Sequence, residues 1–179
     1  AIHVNRGAAP DYDHDPFDDG WELELGRITV RALHTPGHRP EHTAFALIDT
    51  DRSEEPWAVL TGDSLFVGDI ARPDLAVDKA EGAAGIFHSL HDQLLSLPDT
   101  CEVWPGHLGG SMCGGPGMDL KVCSTIGYER EHQDDKPLRH RHLAYHPFDA
   151  RPILHYLCIR HVHRPRPGAD DGGRHPRRA

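Results

Sequence analysis

The chain has 179 residues, a formal net charge of −9, a hydrophobic fraction of 37% and a mean hydropathy of −0.57. That length suits one domain with a real core. No apolar run approaches the length of a membrane span, and the acidic balance argues against nucleic acid as the main partner.

The charge is unevenly spread. Residues 136–179 hold 10 of the 19 Lys and Arg, 3 of the 28 Asp and Glu, and 7 of the 16 His. A boundary is therefore expected near Gln133-Asp134-Asp135-Lys136, separating a domain over 1–132 from a basic, His/Arg/Pro-rich, poorly ordered tail over 133–179. The tail arginines could hold phosphate nonspecifically, but no aromatic platform accompanies them, so nucleic acid is not an expected partner. Cys101, Cys113, Cys123 and Cys158 are scattered, with no CxxC pair. They read as reduced, buried or loop thiols in a cytoplasmic protein. No charged-then-apolar leader is visible.

Residues 1–20 hold Gly7, Pro10, Pro16, Gly20 and five aspartates, and read as a loop. Asp11, Asp13, Asp15 and His14 lack the later glycine and glutamate of a calcium loop, and read as solvated. Trp21–Leu25 alternates apolar and charged residues, Gly26-Arg27 turns the chain, and Ile28–Leu33 returns, which predicts a hairpin. Thr43–Ile48 and Trp57–Thr61 read as further strands. Ile86, Leu90, Leu94 and Leu97 lie four, four and three apart and predict a helix with one buried stripe. His88 and His91 read as its flank rather than a metal pair. Cys101–Trp104 reads as a short strand, and the six glycines between 106 and 117 as a flexible loop. Ser124 is expected to cap a short helix over 125–132.

One plan occurs three times. A strand runs into Thr35-Pro36-Gly37-His38, another into Gly62-Asp63, and a third into Pro105-Gly106-His107. Each tight turn carries a metal-competent side chain to a sheet edge, with a glycine beside it that lets backbone approach closely. Two imidazoles and a carboxylate favour iron or zinc over magnesium or calcium. A catalytic cation keeps open positions for water, oxygen or substrate. His42, near His38, is placed to orient it from behind.

These stretches also carry a resemblance. His34-Thr35-Pro36-Gly37-His38, Thr61-Gly62-Asp63-Ser64-Leu65-Phe66-Val67-Gly68-Asp69, Arg72-Pro73-Asp74-Leu75, Pro105-Gly106-His107 and Ser124-Thr125-Ile126-Gly127-Tyr128-Glu129-Arg130 resemble the metallo-β-lactamase superfamily. They are most similar to its persulfide dioxygenase-like branch, with glyoxalase II as the related hydrolase.

The resemblance implies an α/β fold, part of an αββα sandwich lacking its first strands and its His-x-His-x-Asp-His loop, so that the chain is expected to begin inside the domain. It implies His38 and Asp63 as catalytic metal ligands, Asp63 as the carboxylate that bridges two metals in the hydrolases and binds the single iron in the dioxygenases, His107 on the second-metal side, and Arg72 near a glutathione-binding region. The implied cofactor is Fe(2+), with Zn(2+) as the alternative.

The implied activity is oxidation of a glutathione-type persulfide by O2 to sulfite, making the chain an oxidoreductase of sulfur metabolism. The alternatives are a zinc-dependent thioester hydrolase and an inactive metal-binding remnant. A small thiol or persulfide is the expected partner, without a membrane, and a homodimer is left open.

Overall fold

The protein is described from a computed structural model, in which residues 1–74 and 78–135 are described. The expected tail lies, from residue 136 on, outside these residues, as does Cys158. No helix among the described residues is long and apolar enough to cross a membrane.

The first strands are β1 (His3–Asn5), β2 (Asp15–Phe17), β3 (Glu22–Leu25), β4 (Ile28–His34), β5 (Thr43–Asp49) and β6 (Ala58–Gly62). They are followed by β7 (Leu65–Phe66), β8 (Asp69–Ile70), α1 (Lys79–His88), β9 (Glu102–Pro105), β10 (Ser124–Thr125) and α2 (Ile126–Asp135). Six strands form one mixed sheet in the order β10-β9-β6-β5-β4-β3. The expected hairpin is present: Leu25 faces Ile28, and Gly26 takes a left-handed φ of 66° in the two-residue turn.

Strand direction sets the site. β4 and β6 are both antiparallel to β5, which lies between them, and β9 is parallel to β6. β4, β6 and β9 therefore run the same way, and their C-terminal ends open on one sheet edge.

One sheet face is covered. Ala44, Val59 and Val103 pack with Ile86, Leu90, Leu94 and Ile126 in a common core. On the other face Leu60 and Trp104, paired in register, remain 42% and 40% exposed. Among the described residues there is thus one large sheet with helices on one side, which is one half of the two-sheet sandwich that the sequence resemblance implies.

Three local expectations are corrected. Residues 3–5 and 15–17 pair as a short parallel ladder, so part of the expected N-terminal loop is β structure; Phe17 and Trp21 stack there with ring centroids 5.0 Å apart. The expected single helix changes type. It is α-helical to His88, π-helical over Ser89–Gln93 and 3-10 over Leu94–Ser96. The buried stripe survives, because Ile86, Leu90 and Leu94 are 3%, 4% and 0% exposed. The widened turn begins at Ser89, whose buried hydroxyl donates to the Pro36 carbonyl at 2.6 Å. Finally, Ser124 belongs to β10, and the cap of α2 is Thr125, whose Oγ1 accepts from the Tyr128 N–H at 3.2 Å.

Glu129 is fully buried; it accepts from the Gly68 N–H at 2.9 Å and from the Ser124 hydroxyl. This buried carboxylate ties α2 to the turn between β7 and β8.

Candidate metal centre

His38 follows β4 through a clamped turn. The Thr35 N–H donates to the His42 carbonyl at 2.9 Å, and Nε2 of His34 donates to the Pro40 carbonyl at 2.7 Å. His34 is thereby committed to closing the loop. Gly37 sits at φ 135° with α1 directly against it: a Cβ there would lie 2.4 Å from the Ile86 nitrogen. His38 is left 9% exposed at the sheet edge.

Asp63 follows β6, and Gly62 makes the turn at φ 53°. The Asp63 N–H donates to Nε2 of His42 at 3.0 Å. Because a backbone N–H can only donate, that His42 nitrogen is the unprotonated one. Nδ1 then carries the proton and donates to the Thr35 hydroxyl at 2.8 Å. Burial, followed by the smaller effect of nearby His38, pushes the His42 imidazole below its ordinary pKa, against an opposing pull from Asp63. A neutral, oriented His42 thus holds the turn that presents Asp63.

His107 follows β9. Its neighbour Gly106 donates from its N–H to the Gly62 carbonyl at 2.8 Å, and a Cβ on Gly106 would stand 3.0 Å from Asp63 Oδ1. The glycines beside His38, Asp63 and His107 all stand at close approaches, as the sequence pattern predicts.

The three side chains meet on Asp63. Nε2 of His38 lies 3.3 Å from Oδ2, and Nε2 of His107 lies 3.1 Å from Oδ1. Each carboxylate oxygen faces a different imidazole. Cations bound at about 2.0–2.1 Å by nitrogen and oxygen space neighbouring ligand atoms by about 2.9–3.4 Å. These separations therefore fit shared coordination of a metal as well as direct hydrogen bonds. The buried His38 ring directs Nε2, its outward nitrogen, at the carboxylate, and two imidazole nitrogens converging on one carboxylate are a donor set of the kind that iron and zinc take. The residues fit a cation.

The structure adds a residue that the sequence reading left as a loop thiol. Cys113, His38 and Asp63 each offer a ligand atom within 4.8 Å of the other two. The glycine-rich loop brings it there because it is stapled down: the Arg72 N–H donates to the Cys113 carbonyl at 2.9 Å, the Gly117 N–H to Asp69 at 2.8 Å, and the Asp119 N–H to the Val67 carbonyl at 2.9 Å. The local signal available was a cysteine flanked by glycine after Pro-Gly-His.

Arg72 sits at the same loop. Its fork is engaged by the Asp74 carboxylate, at 3.1 Å and 3.0 Å, and that hydrogen bonding raises its already high pKa. His88 pairs with Asp92 at 3.0 Å and His91 packs on Phe87, so both flank the helix as expected. His14 donates to the Tyr12 carbonyl, and Asp15 lies 4.0 Å from His3.

A test of the supporting layer follows. His42→Ala removes the acceptor for the Asp63 N–H. It should weaken metal binding by about 10- to 100-fold, the usual cost of losing an orienting partner. Competition against a chromophoric chelator measures it, and unchanged affinity would show that the Asp63 turn holds without His42.

No family model matches the chain. Among curated proteins, it is 37% identical over 95 residues to a probable metallo-hydrolase, YqgX, of Bacillus subtilis, covering 53% of this chain and 40% of that protein. It is 30% identical over 91 residues to the mitochondrial persulfide dioxygenase ETHE1 of Bos taurus, covering 51% of this chain and 32% of that one. Among solved structures, a metallo-β-lactamase from Staphylococcus aureus superposes with a TM-score of 0.60 at 36% identity, covering 66% of this chain and 34% of that one. The chain thus spans well under half the length of these relatives. Its α/β fold is of the metallo-β-lactamase type, and the chain belongs to the metallo-β-lactamase superfamily.

Proposed function

We propose that the protein is part of a metal-dependent oxidoreductase of sulfur metabolism, one that converts a glutathione-type persulfide, dioxygen and water into the thiol and sulfite. The observation that carries this reading is the pairing of His38 with Asp63 at 3.3 Å on one sheet edge, a nitrogen and oxygen donor set that suits ferrous iron. The 30% identity to a persulfide dioxygenase supports it. When bound, iron supplies a place where dioxygen and a persulfide sulfur are held within reach of each other.

The chain's own residues do the rest. Asp63 and His38 hold the cation, and His42 holds the backbone turn that presents Asp63. Arg72 is the candidate for substrate carboxylates. Its engagement by Asp74 means that a substrate would have to share or displace that pairing.

A second reading rests on a different observation. Each Asp63 oxygen faces its own imidazole, as a carboxylate bridging two cations does, and this favours a dinuclear zinc hydrolase of thioesters. The identity to a probable metallo-hydrolase agrees with it. There the metal lowers the pKa of water to give hydroxide near neutral pH.

Metal stoichiometry and turnover separate the two. The chain is loaded anaerobically with iron or with zinc, and offered glutathione persulfide or a glutathione thioester. One iron per chain, with one dioxygen consumed per sulfite formed, is expected. Two zincs with thioester cleavage favours the second reading, and metal uptake without turnover favours a metal-binding module.

A further inference from the structure

We propose that Cys113 is a sulfur ligand of the cation held by His38 and Asp63. This rests on the metal-binding reading above and extends it, because it gives the site a third donor of a different kind.

Three observations carry it. Among the described residues, His38, Asp63 and Cys113 form the group of three metal-competent side chains whose ligand atoms all lie within 4.8 Å of one another. His107 stands outside that group, on the other carboxylate oxygen. On the His38 side of Asp63, then, the nearest third donor is a thiol rather than an imidazole. With metal bonds of about 2.0–2.1 Å to nitrogen and oxygen and about 2.3 Å to sulfur, a tetrahedral cation needs ligand separations of about 3.3–3.6 Å. His38 and Asp63 already meet that requirement at 3.3 Å. From a separation of at most 4.8 Å, the sulfur needs to close by no more than about 1.5 Å, within the reach of a side-chain rotation.

The second observation is that Cys113 is held in place. Its N–H donates to the Ser111 hydroxyl at 3.2 Å, its carbonyl accepts from Arg72, and the next residue, Gly114, bridges to Ala71. A Cβ on Gly114 would lie 2.3 Å from the Met118 sulfur and 2.9 Å from Phe66. The segment fits only because that position is glycine, and the fit seats Cys113 beside the site.

Third, His38 is buried to nine-tenths and directs Nε2 at Asp63, 3.3 Å away. The group therefore contains an imidazole fixed in place with its outward nitrogen toward the carboxylate. The thiol is also distinct from that of Cys101, and Cys123 is not in the three-residue group. Cys101 is fully buried in the core, where burial pushes its pKa up to about 11.

A thiolate changes what the site accepts. Sulfur ligation selects zinc, iron or cobalt and rejects magnesium and calcium. A coordinating thiol is deprotonated outright, so binding releases a proton from Cys113. With Asp63 ionised, two anionic ligands balance a divalent cation on the His38 side.

Cobalt(II) tests this without relying on activity. The purified chain loaded with Co(II) should show visible ligand-field bands together with a near-ultraviolet sulfur-to-cobalt charge-transfer band. Cys113→Ser should abolish the charge-transfer band, keep the ligand-field bands and bind cobalt at least about tenfold more weakly. Cys123→Ser should keep both features. As a measurement that needs no variant, Co(II) should protect Cys113, located by peptide mass spectrometry, from alkylation. Ligand-field bands without the sulfur band, a sulfur band that survives Cys113→Ser, or equal alkylation with and without cobalt each overturns the proposal while leaving the His38–Asp63 cation site standing. Failure to take up cobalt at all overturns both.

Discussion

Asp63→Ala should lower metal affinity by more than about 100-fold and leave the fold in place. The size follows from position. Asp63 accepts from or shares a cation with both imidazoles, one on each oxygen at 3.3 Å and 3.1 Å. Losing a group that only orients a ligand costs about 10- to 100-fold, and Asp63 would be a ligand itself. The fold should persist because the Asp63 side chain is 23% exposed, and its backbone N–H bond to His42 does not need the carboxylate. Asp63→Asn sharpens the test: it keeps the shape and one neutral oxygen acceptor but removes the charge, so it should fall between wild type and alanine. Metal per chain after dialysis, measured by elemental mass spectrometry beside circular dichroism, reads both effects. An alanine variant that retains its full complement of metal would move the centre away from this sheet edge.

The parts of this edge that were legible in the sequence are those coded locally. Alternation and a two-residue turn define the hairpin of β3 and β4. Apolar runs ending in Pro-Gly or Gly-Asp define the ends of β4, β6 and β9. Each signal lies within about ten consecutive residues, so one stretch of sequence contains it whole. The meeting of His38, Asp63 and His107 follows from three such stretches, because strands of like direction open on one edge.

What was not legible depends on distant partners. The pairing of β1 with β2 joins segments about ten residues apart, and neither segment carries an alternation of its own. The loop holding Cys113 looks like flexible chain until its carbonyl meets the Arg72 N–H, 41 positions back. The helix stripe was right and its geometry was not. Spacings of four, four and three fit a continuous α-helix as well as the α, π and 3-10 succession observed, since both bury Ile86, Leu90 and Leu94. Nothing local marks Glu129 as buried; its partner at the Gly68 N–H, 61 residues away, accounts for its place inside.

Gly37→Ala should be the most destabilising single methyl at this sheet edge. Two costs add. The backbone sits at φ 135°, a conformation that residues with a Cβ rarely adopt, worth about 1–2 kcal/mol. The new Cβ would also lie 2.4 Å from the Ile86 nitrogen, 2.5 Å from its Cγ1 and 2.9 Å from the Gly82 carbonyl. The helix has little room to retreat: a Cβ at Gly82 would itself stand 2.2 Å from the Pro73 carbonyl, and Ile86 is seated in the core. Overpacking of this kind costs about 1–3 kcal/mol, so a total of about 3 kcal/mol is expected from a domain stability of about 5–15 kcal/mol. Gly20→Ala separates the two costs, because Gly20 has φ 75° but nothing within 4 Å of the added carbon; it should lose only about 1 kcal/mol. Urea midpoints of the two variants give the difference directly. Since Gly37 is joined to His38, its variant should also bind metal more weakly under conditions where it remains folded, whereas the Gly20 variant should not. Equal midpoints would mean that α1 yields to the turn, and that the close approach of helix to turn is not what positions His38.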